Sequence, residues 1–230
     1  MNKEKYLILF DVDYTLVKGS KIHKESIVDG IKKIFGVDPP IEKLKLHGMT
    51  DQQIVTDLLK ICGVDKKIIE SKMKVCLKAI DQLYNNNKSA DKVTLMEGAR
   101  SLLDEITKDS DFILGLVTGN IESIAYGKLS LVGISQYFSI GGFGSDHIER
   151  HKLVEKAVGR AKDKFGIDRF KIFVVGDTPK DINAAKKAGV YSIGIASGSF
   201  SREELEKYGA DLVLESLLEK DKFIEFIKSK

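Results

Sequence analysis

Short apolar runs recur along the chain, at Tyr6 to Phe10, Phe112 to Val117, Phe138 to Gly141, Lys171 to Val175, Tyr191 to Ile195 and Asp211 to Leu214. Most are continuously apolar rather than alternating, the pattern of strands covered on both faces in a parallel sheet. Between them lie stretches of helical length and period, at 97–108, 121–131, 148–165, 179–188 and 201–208. Strands alternating with helices predict an α/β fold, a doubly wound parallel sheet. One region breaks the alternation. From the first strand to Glu97 the pattern is helical throughout, with amphipathic segments at 24–35, 51–61 and 66–83. In the second of these, Ile54, Val55, Leu58, Leu59 and Ile61 share one side, and Thr50 is placed to cap it. The expected organisation is therefore a sheet unit made of residues 1–17 and 95–230, interrupted by an inserted α-helical unit at 18–94. Lys18-Gly19-Ser20 and Asn85 to Ser89 read as flexible connections.

Composition narrows the class without changing this picture. The 230 residues are 43% hydrophobic and 31% charged, with 3 prolines, which describes a folded chain rather than a disordered one. No apolar run approaches the roughly 18 residues of a membrane span, and the charged start, Met1 to Lys5, resembles no secretory leader. The expectation is a cytoplasmic protein without a membrane partner. A net charge of +3 is too small to suggest nucleic acid. Its distribution is uneven, however: residues 18–96 hold fifteen lysines, no arginine and ten acidic residues. That balance fits solvated helix faces, or a surface attracting an anionic substrate. Cys62 and Cys76 lack zinc-ligand spacing and read as core thiols.

Ligands of open parallel sheets bind beyond the carboxyl ends of the strands, and the polar residues there are distinctive. The first strand runs into Asp11-Val12-Asp13-Tyr14-Thr15. An i, i+2 pair in extended chain points to opposite faces, so both acids serve one site only if the chain bends after Asp11. The run 172–175 ends in Gly176-Asp177-Thr178-Pro179-Lys180-Asp181, which puts Asp177 in a turn and Asp181 in a first helical turn if Pro179 starts the helix. Carboxylates converging at one sheet edge need a cation, and oxygen-only ligation suits magnesium. The run 112–117 ends in Thr118-Gly119-Asn120, a hydroxyl and free amides able to seat phosphate oxygens. Gly141 to Asp146 lacks the lysine of a phosphate-binding P-loop and reads as a strand-exit loop.

With these residues in place, nearly the whole chain resembles the haloacid dehalogenase superfamily, and specifically its phosphatases with a helical cap, of the phosphoglycolate phosphatase kind. Asp11 to Thr15 is similar to the first motif of that family, Thr118 to the second and Gly176 to Asp181 to the acidic fourth. The resemblance implies a Rossmann-like core with the helical insert as cap and a small phosphorylated metabolite as substrate. It further implies an aspartyl-phosphate on Asp11, acid and base catalysis by Asp13, phosphate binding at Thr118 with Gly119 and Asn120, and Mg2+ held by Asp11, Asp13, Asp177 and Asp181. The basic third motif has no Lys-Pro here. Arg150 and Lys152 are its candidates, Arg150 preferred because a guanidinium fork suits carboxylate and phosphate oxygens. Dehalogenation is disfavoured, since it would put a tyrosine where Asp13 stands. Two alternatives remain: a β-phosphoglucomutase-like phosphomutase, and a non-catalytic binding protein of the same fold.

Overall fold

The structure is a computed structural model and describes residues 5–230. Its central sheet is built from β1 (Tyr6–Phe10), β4 (Phe112–Thr118), β5 (Gly141–Phe143), β6 (Lys171–Gly176), β7 (Tyr191–Ile195) and β8 (Leu212–Leu214). All neighbours pair in parallel, in the order β5-β4-β1-β6-β7-β8, so the first strand lies inside the sheet between β4 and β6. Successive side chains of β1 alternate in direction. Ile8 and Phe10 join a core formed with α4 (Ala99–Ile106), α5 (Glu122–Leu131) and α9 (Lys220–Ser229), whereas Leu7 and Leu9 pack against α6 (Arg150–Phe165) and α7 (Pro179–Ala188). Burial on both faces is why the strand sequences are uniformly apolar.

The helical unit consists of α1 (Lys21–Phe35), α2 (Asp51–Ile61) and α3 (Lys66–Asn87). Ile27, Ile31, Val55, Leu58, Leu59, Ile80 and Tyr84 form its own core, which extends to Ile121 and Ile124 at the start of α5. Local chemistry sets the helix ends. Thr50 accepts a hydrogen bond from the Gln53 amide (3.2 Å) as N-cap of α2, and Gly36 closes α1 in the left-handed region at φ 70°, both common terminators.

Several expectations need correction. The two connections are not loose: β2 (Val17–Lys18) pairs antiparallel with β3 (Thr94–Leu95), and α3 runs on to Asn87, taking up three of the five residues of the predicted asparagine-rich linker. Asp91 ties the crossings together by accepting from Ser20 Oγ (2.5 Å) and from the Lys21 and Ile22 amides (2.9 and 3.2 Å) at the start of α1. The edge strand is Gly141–Phe143 instead of 138–141. Phe138 and Ile140 are apolar because they fill the two cores. The glycines meanwhile belong to the strand: a Cβ on Gly142 would lie 1.9 Å from the Leu153 carbonyl oxygen, so only glycine lets α6 approach this closely. Finally, α9 had no sequence expectation, although Phe223 and Ile227 are one turn apart and buried. Phe223 stacks on Phe10 at 6.0 Å.

Candidate active site

The ladder of β1 continues for one residue, with the Asp11 amide donating to the Val175 carbonyl (2.8 Å), and then the chain turns. The Leu16 and Val17 amides both return to the Val12 carbonyl (2.9 and 3.0 Å). Tyr14, at φ 60°, is the only non-glycine residue with positive φ among the described residues. A tyrosine in the left-handed region is strained, and such residues concentrate at functional loops. The bend that a shared site requires of Asp11 and Asp13 is therefore present, but their side chains take different partners.

Asp11 is buried, and its Oδ1 lies 2.7 Å from Arg150 Nη2. The same nitrogen is 2.6 Å from Asp181 Oδ1. Asp181 reaches this place through α7, which begins at Pro179 with a reciprocal capping box. In that box Asp181 Oδ2 accepts from the Thr178 amide (3.1 Å) and hydroxyl (2.7 Å), which leaves Oδ1 facing the site. Asp177, in the turn before it, is held close by the loop after β7: a Cβ on Gly198 would lie 1.8 Å from Asp177 Oδ2. Asp11, Asp177 and Asp181 thus offer carboxylate oxygens within 4.8 Å of one another.

Three buried acids face one guanidinium. Burial, together with the charges of Asp181 and Asp13, pushes Asp11 up to about 7 against the pull of Arg150. Burial and the charges of Asp11 and Asp181 push Asp177 up to about 9. Arg150 moves upward too, because the attraction of Asp11 and Asp181 exceeds the cost of its own burial. Asp177 Oδ2 is buried without a hydrogen bond, and Asp181 Oδ1 has only its ion pair with Arg150. An excess of negative charge, an unsatisfied carboxylate oxygen and a donor set with neither His nor Cys fit a hard divalent cation such as magnesium.

Asp13 lies outside this group, so the structure brings together three of the four aspartates expected at a metal. Lys128 Nζ, on α5, lies 2.8 and 2.7 Å from its two oxygens, and Asn120 Nδ2 donates to one of them at 2.8 Å. Burial alone would raise Asp13, but the charge of Lys128 and these hydrogen bonds hold it below the usual carboxylate range. Thr118 is fully buried at the end of β4, and its hydroxyl accepts from the Asn120 amide (3.3 Å). Gly119 gives its carbonyl to the Asp51 amide (2.8 Å), so the 118–120 turn is joined to the start of α2. Lys152 is not at the site. It is two residues beyond Arg150 on α6, about half a turn around the helix, and its ammonium pairs with Glu155 at 3.0 Å on the surface.

Sequence reasoning missed Lys128, His23 and Asp51. Lys128 Nζ also contacts His23 Nδ1 (3.0 Å), and His23 Nε2 contacts the Asp51 carboxylate (3.1 Å). One signal was available: Lys128 is flanked by Gly127 and Leu129 within an otherwise apolar face of α5. The helical unit covers the site from above. Gly48 gives its carbonyl to Arg150 Nη1 (3.4 Å), Thr50 Oγ1 donates to the Ile148 carbonyl (2.9 Å), and His47 meets Tyr14 at 5.7 Å between ring centres.

The site is thus a buried acid cluster with one arginine, at the carboxyl edge of a parallel sheet and under a helical insert. Residues 8–195 match the profile of the haloacid dehalogenase-like hydrolases, and the chain belongs to that family. Among curated relatives, pyrophosphatase PpaX of Bacillus velezensis is 29% identical over 58% of this chain and 61% of its own length. Phosphoserine phosphatase of Methanocaldococcus jannaschii is 26% identical over 94% of each chain. Among solved structures, CbbY of Rhodobacter sphaeroides in complex with phosphate superposes with a TM-score of 0.68 at 18% identity, covering 94% of this chain and 96% of that one. The chain is an enzyme of the phosphatase type, a phosphoric monoester hydrolase.

Proposed function

We propose that this enzyme hydrolyses a small phosphorylated metabolite, of the phosphoglycolate kind, through an aspartyl-phosphate on Asp11. The observation that carries the reading is the division of labour among the aspartates: Asp11 sits with Asp177, Asp181 and Arg150, while Asp13 is held apart by Lys128 and Asn120. Asp11 supplies an oxygen to phosphorus as the bond to the leaving oxygen breaks. Arg150 offsets the charge of the phosphoryl oxygens, and the Thr118 hydroxyl with the amides of the 118–120 turn supplies donors to them. Asp13 protonates the departing alkoxide, then takes a proton from the water that cleaves the acyl-phosphate. Asp11, Asp177 and Asp181 would hold Mg2+, which when bound supplies positive charge to the phosphoryl group and keeps the nucleophile ionised.

The insert at 18–94 acts as the cap, excluding bulk water and reading the leaving group through residues such as His47. Its lysine excess favours anionic substrates. The test is phosphate release from a panel of phosphorylated metabolites, with magnesium and with chelator, in the parent and in Asp11→Asn. The expected result is magnesium-dependent release that the variant loses by a thousandfold or more, on the order seen when a nucleophile is removed. Turnover by Asp11→Asn, or undiminished turnover in chelator, would overturn the reading. Product analysis showing an isomerised sugar phosphate instead of free phosphate would replace it with the phosphomutase alternative.

A further inference from the structure

The chain Asp51, His23, Lys128, Asp13 crosses from the helical unit to the sheet unit. Asp51 and His23 belong to α2 and α1, Lys128 to α5 and Asp13 to the turn after β1. Lys128 is 1% exposed, His23 8% and Asp51 1%. Burying these groups is costly, and well-packed apolar residues would serve stability as well or better. Their presence calls for another explanation.

The contacts supply one. Lys128 occupies both oxygens of Asp13, which keeps that carboxylate out of the Asp11, Asp177 and Asp181 group. A lysine is a point charge on a flexible stem with rotatable donors, so by itself it fixes nothing. Its remaining donor is taken by His23 Nδ1. That nitrogen therefore accepts, and Nε2 carries the proton donated to Asp51. Asp51 is immobilised in turn, since its Oδ2 accepts from the Ile121 amide (2.8 Å) and its own amide donates to Gly119. Each donor in the chain has a defined acceptor, and the far end is anchored beside the 118–120 turn.

We propose that Lys128, held by His23 and Asp51, is a positioning residue that aims Asp13 at the leaving oxygen, so that docking of the helical unit completes the acid and base function. This inference rests on the phosphatase reading. None of the three is a catalytic residue, because each acts through Asp13. The consequence is a selectivity of damage: weakening the chain harms reactions that need a proton delivered to the leaving group and spares those that do not.

The test compares first-turnover phosphoryl transfer from p-nitrophenyl phosphate, whose phenolate needs little protonation, with transfer from glycerol phosphate, in the full-length enzyme with magnesium. His23→Leu removes both ring contacts and should slow the alkyl substrate by about tenfold or more, a fraction of what general-acid help is worth, while the aryl burst stays within about threefold and KM hardly moves. His23→Gln keeps an acceptor for Lys128 and a donor for Asp51, and should restore the alkyl rate to within about threefold of the parent. Should His23→Leu not fold, Asp51→Asn, which keeps the side chain's shape but removes the carboxylate that holds His23, carries the same comparison. Equal losses for the two substrates, or a raised KM for both, would show that Lys128 binds the phosphoryl group or serves packing alone, and would overturn the inference while Asp11→Asn remains inactive. Turnover retained by Asp11→Asn would overturn the phosphatase reading and this inference with it.

Discussion

Two buried charged clusters lie side by side in this molecule and are built on opposite principles. Around Asp11, three carboxylates face one guanidinium that pairs with two of them, and Asp177 Oδ2 has no hydrogen bond. Around Asp13, charges alternate along a chain in which Lys128, His23 and Asp51 satisfy one another. The first cluster comes wholly from the sheet unit and carries an excess of negative charge. The second needs the helical unit, and its charges are paired. An unbalanced buried cluster stores a requirement for a ligand, whereas a balanced one fixes geometry.

Breaking the first cluster should have the largest effect. Arg150→Ala leaves Asp11 and Asp181 buried without their counter-charge, a loss of about 3–5 kcal/mol for a broken buried pair. Chemical denaturation should show it, together with a loss of turnover of about a hundredfold or more as phosphoryl charge goes unopposed. An Arg150→Ala protein of parental stability would mean that this cluster is no more demanding than the second.

The next effect concerns pH. In the folded protein burial pushes Asp11 up to about 7 and Asp177 up to about 9, whereas in the unfolded chain such carboxyls titrate near pH 4. Through that window the fold binds more protons than the unfolded chain, so the stability of metal-free protein falls as pH rises. Its thermal midpoint should drop by several degrees between about pH 5 and about pH 8. Magnesium at about a hundred times its Kd should add about 2.7 kcal/mol at the higher pH, and less at the lower, where protons compete. A midpoint that rises with pH in chelator would contradict the crowding of acids.

Smaller still is the tie between the two units. Asp91→Ala removes the carboxylate that caps α1 and joins the crossings, and should cost about 1–2 kcal/mol in denaturant titrations while leaving aryl phosphate turnover within about threefold. Lys152→Ala should do least. Its exposed pair with Glu155 is worth at most about 1 kcal/mol, and turnover within about twofold of the parent would separate it from Arg150. A large loss would return Lys152 to the site.

Reading the chain from its sequence worked best where one physical rule acted alone. The strand β1 and helices α2 and α7 have the predicted bounds, because uniform burial, amphipathic period, Thr50 and Pro179 all act within a few residues. The rule failed at Gly141–Phe143, where glycines mark close helix packing and not a loop, and at Asn85–Asn87, where tertiary contacts extend α3 over residues of poor propensity.

By itself, the sequence pointed to the family and the parallel sheet, to a helical insert, and to Asp11, Asp177 and Asp181 as acids gathered past strand ends, since strand ends in such a sheet lie along one edge. Only the tertiary structure placed Arg150 beside the acids and Lys152 on the surface, because two positions on one helix differ in direction and no local rule says which face meets the sheet. It also separated Asp13 from the other three acids and revealed Lys128, His23 and Asp51. Those four residues lie on four different elements, and side chains so far apart in sequence become partners only when the sheet and the helical unit have packed around them.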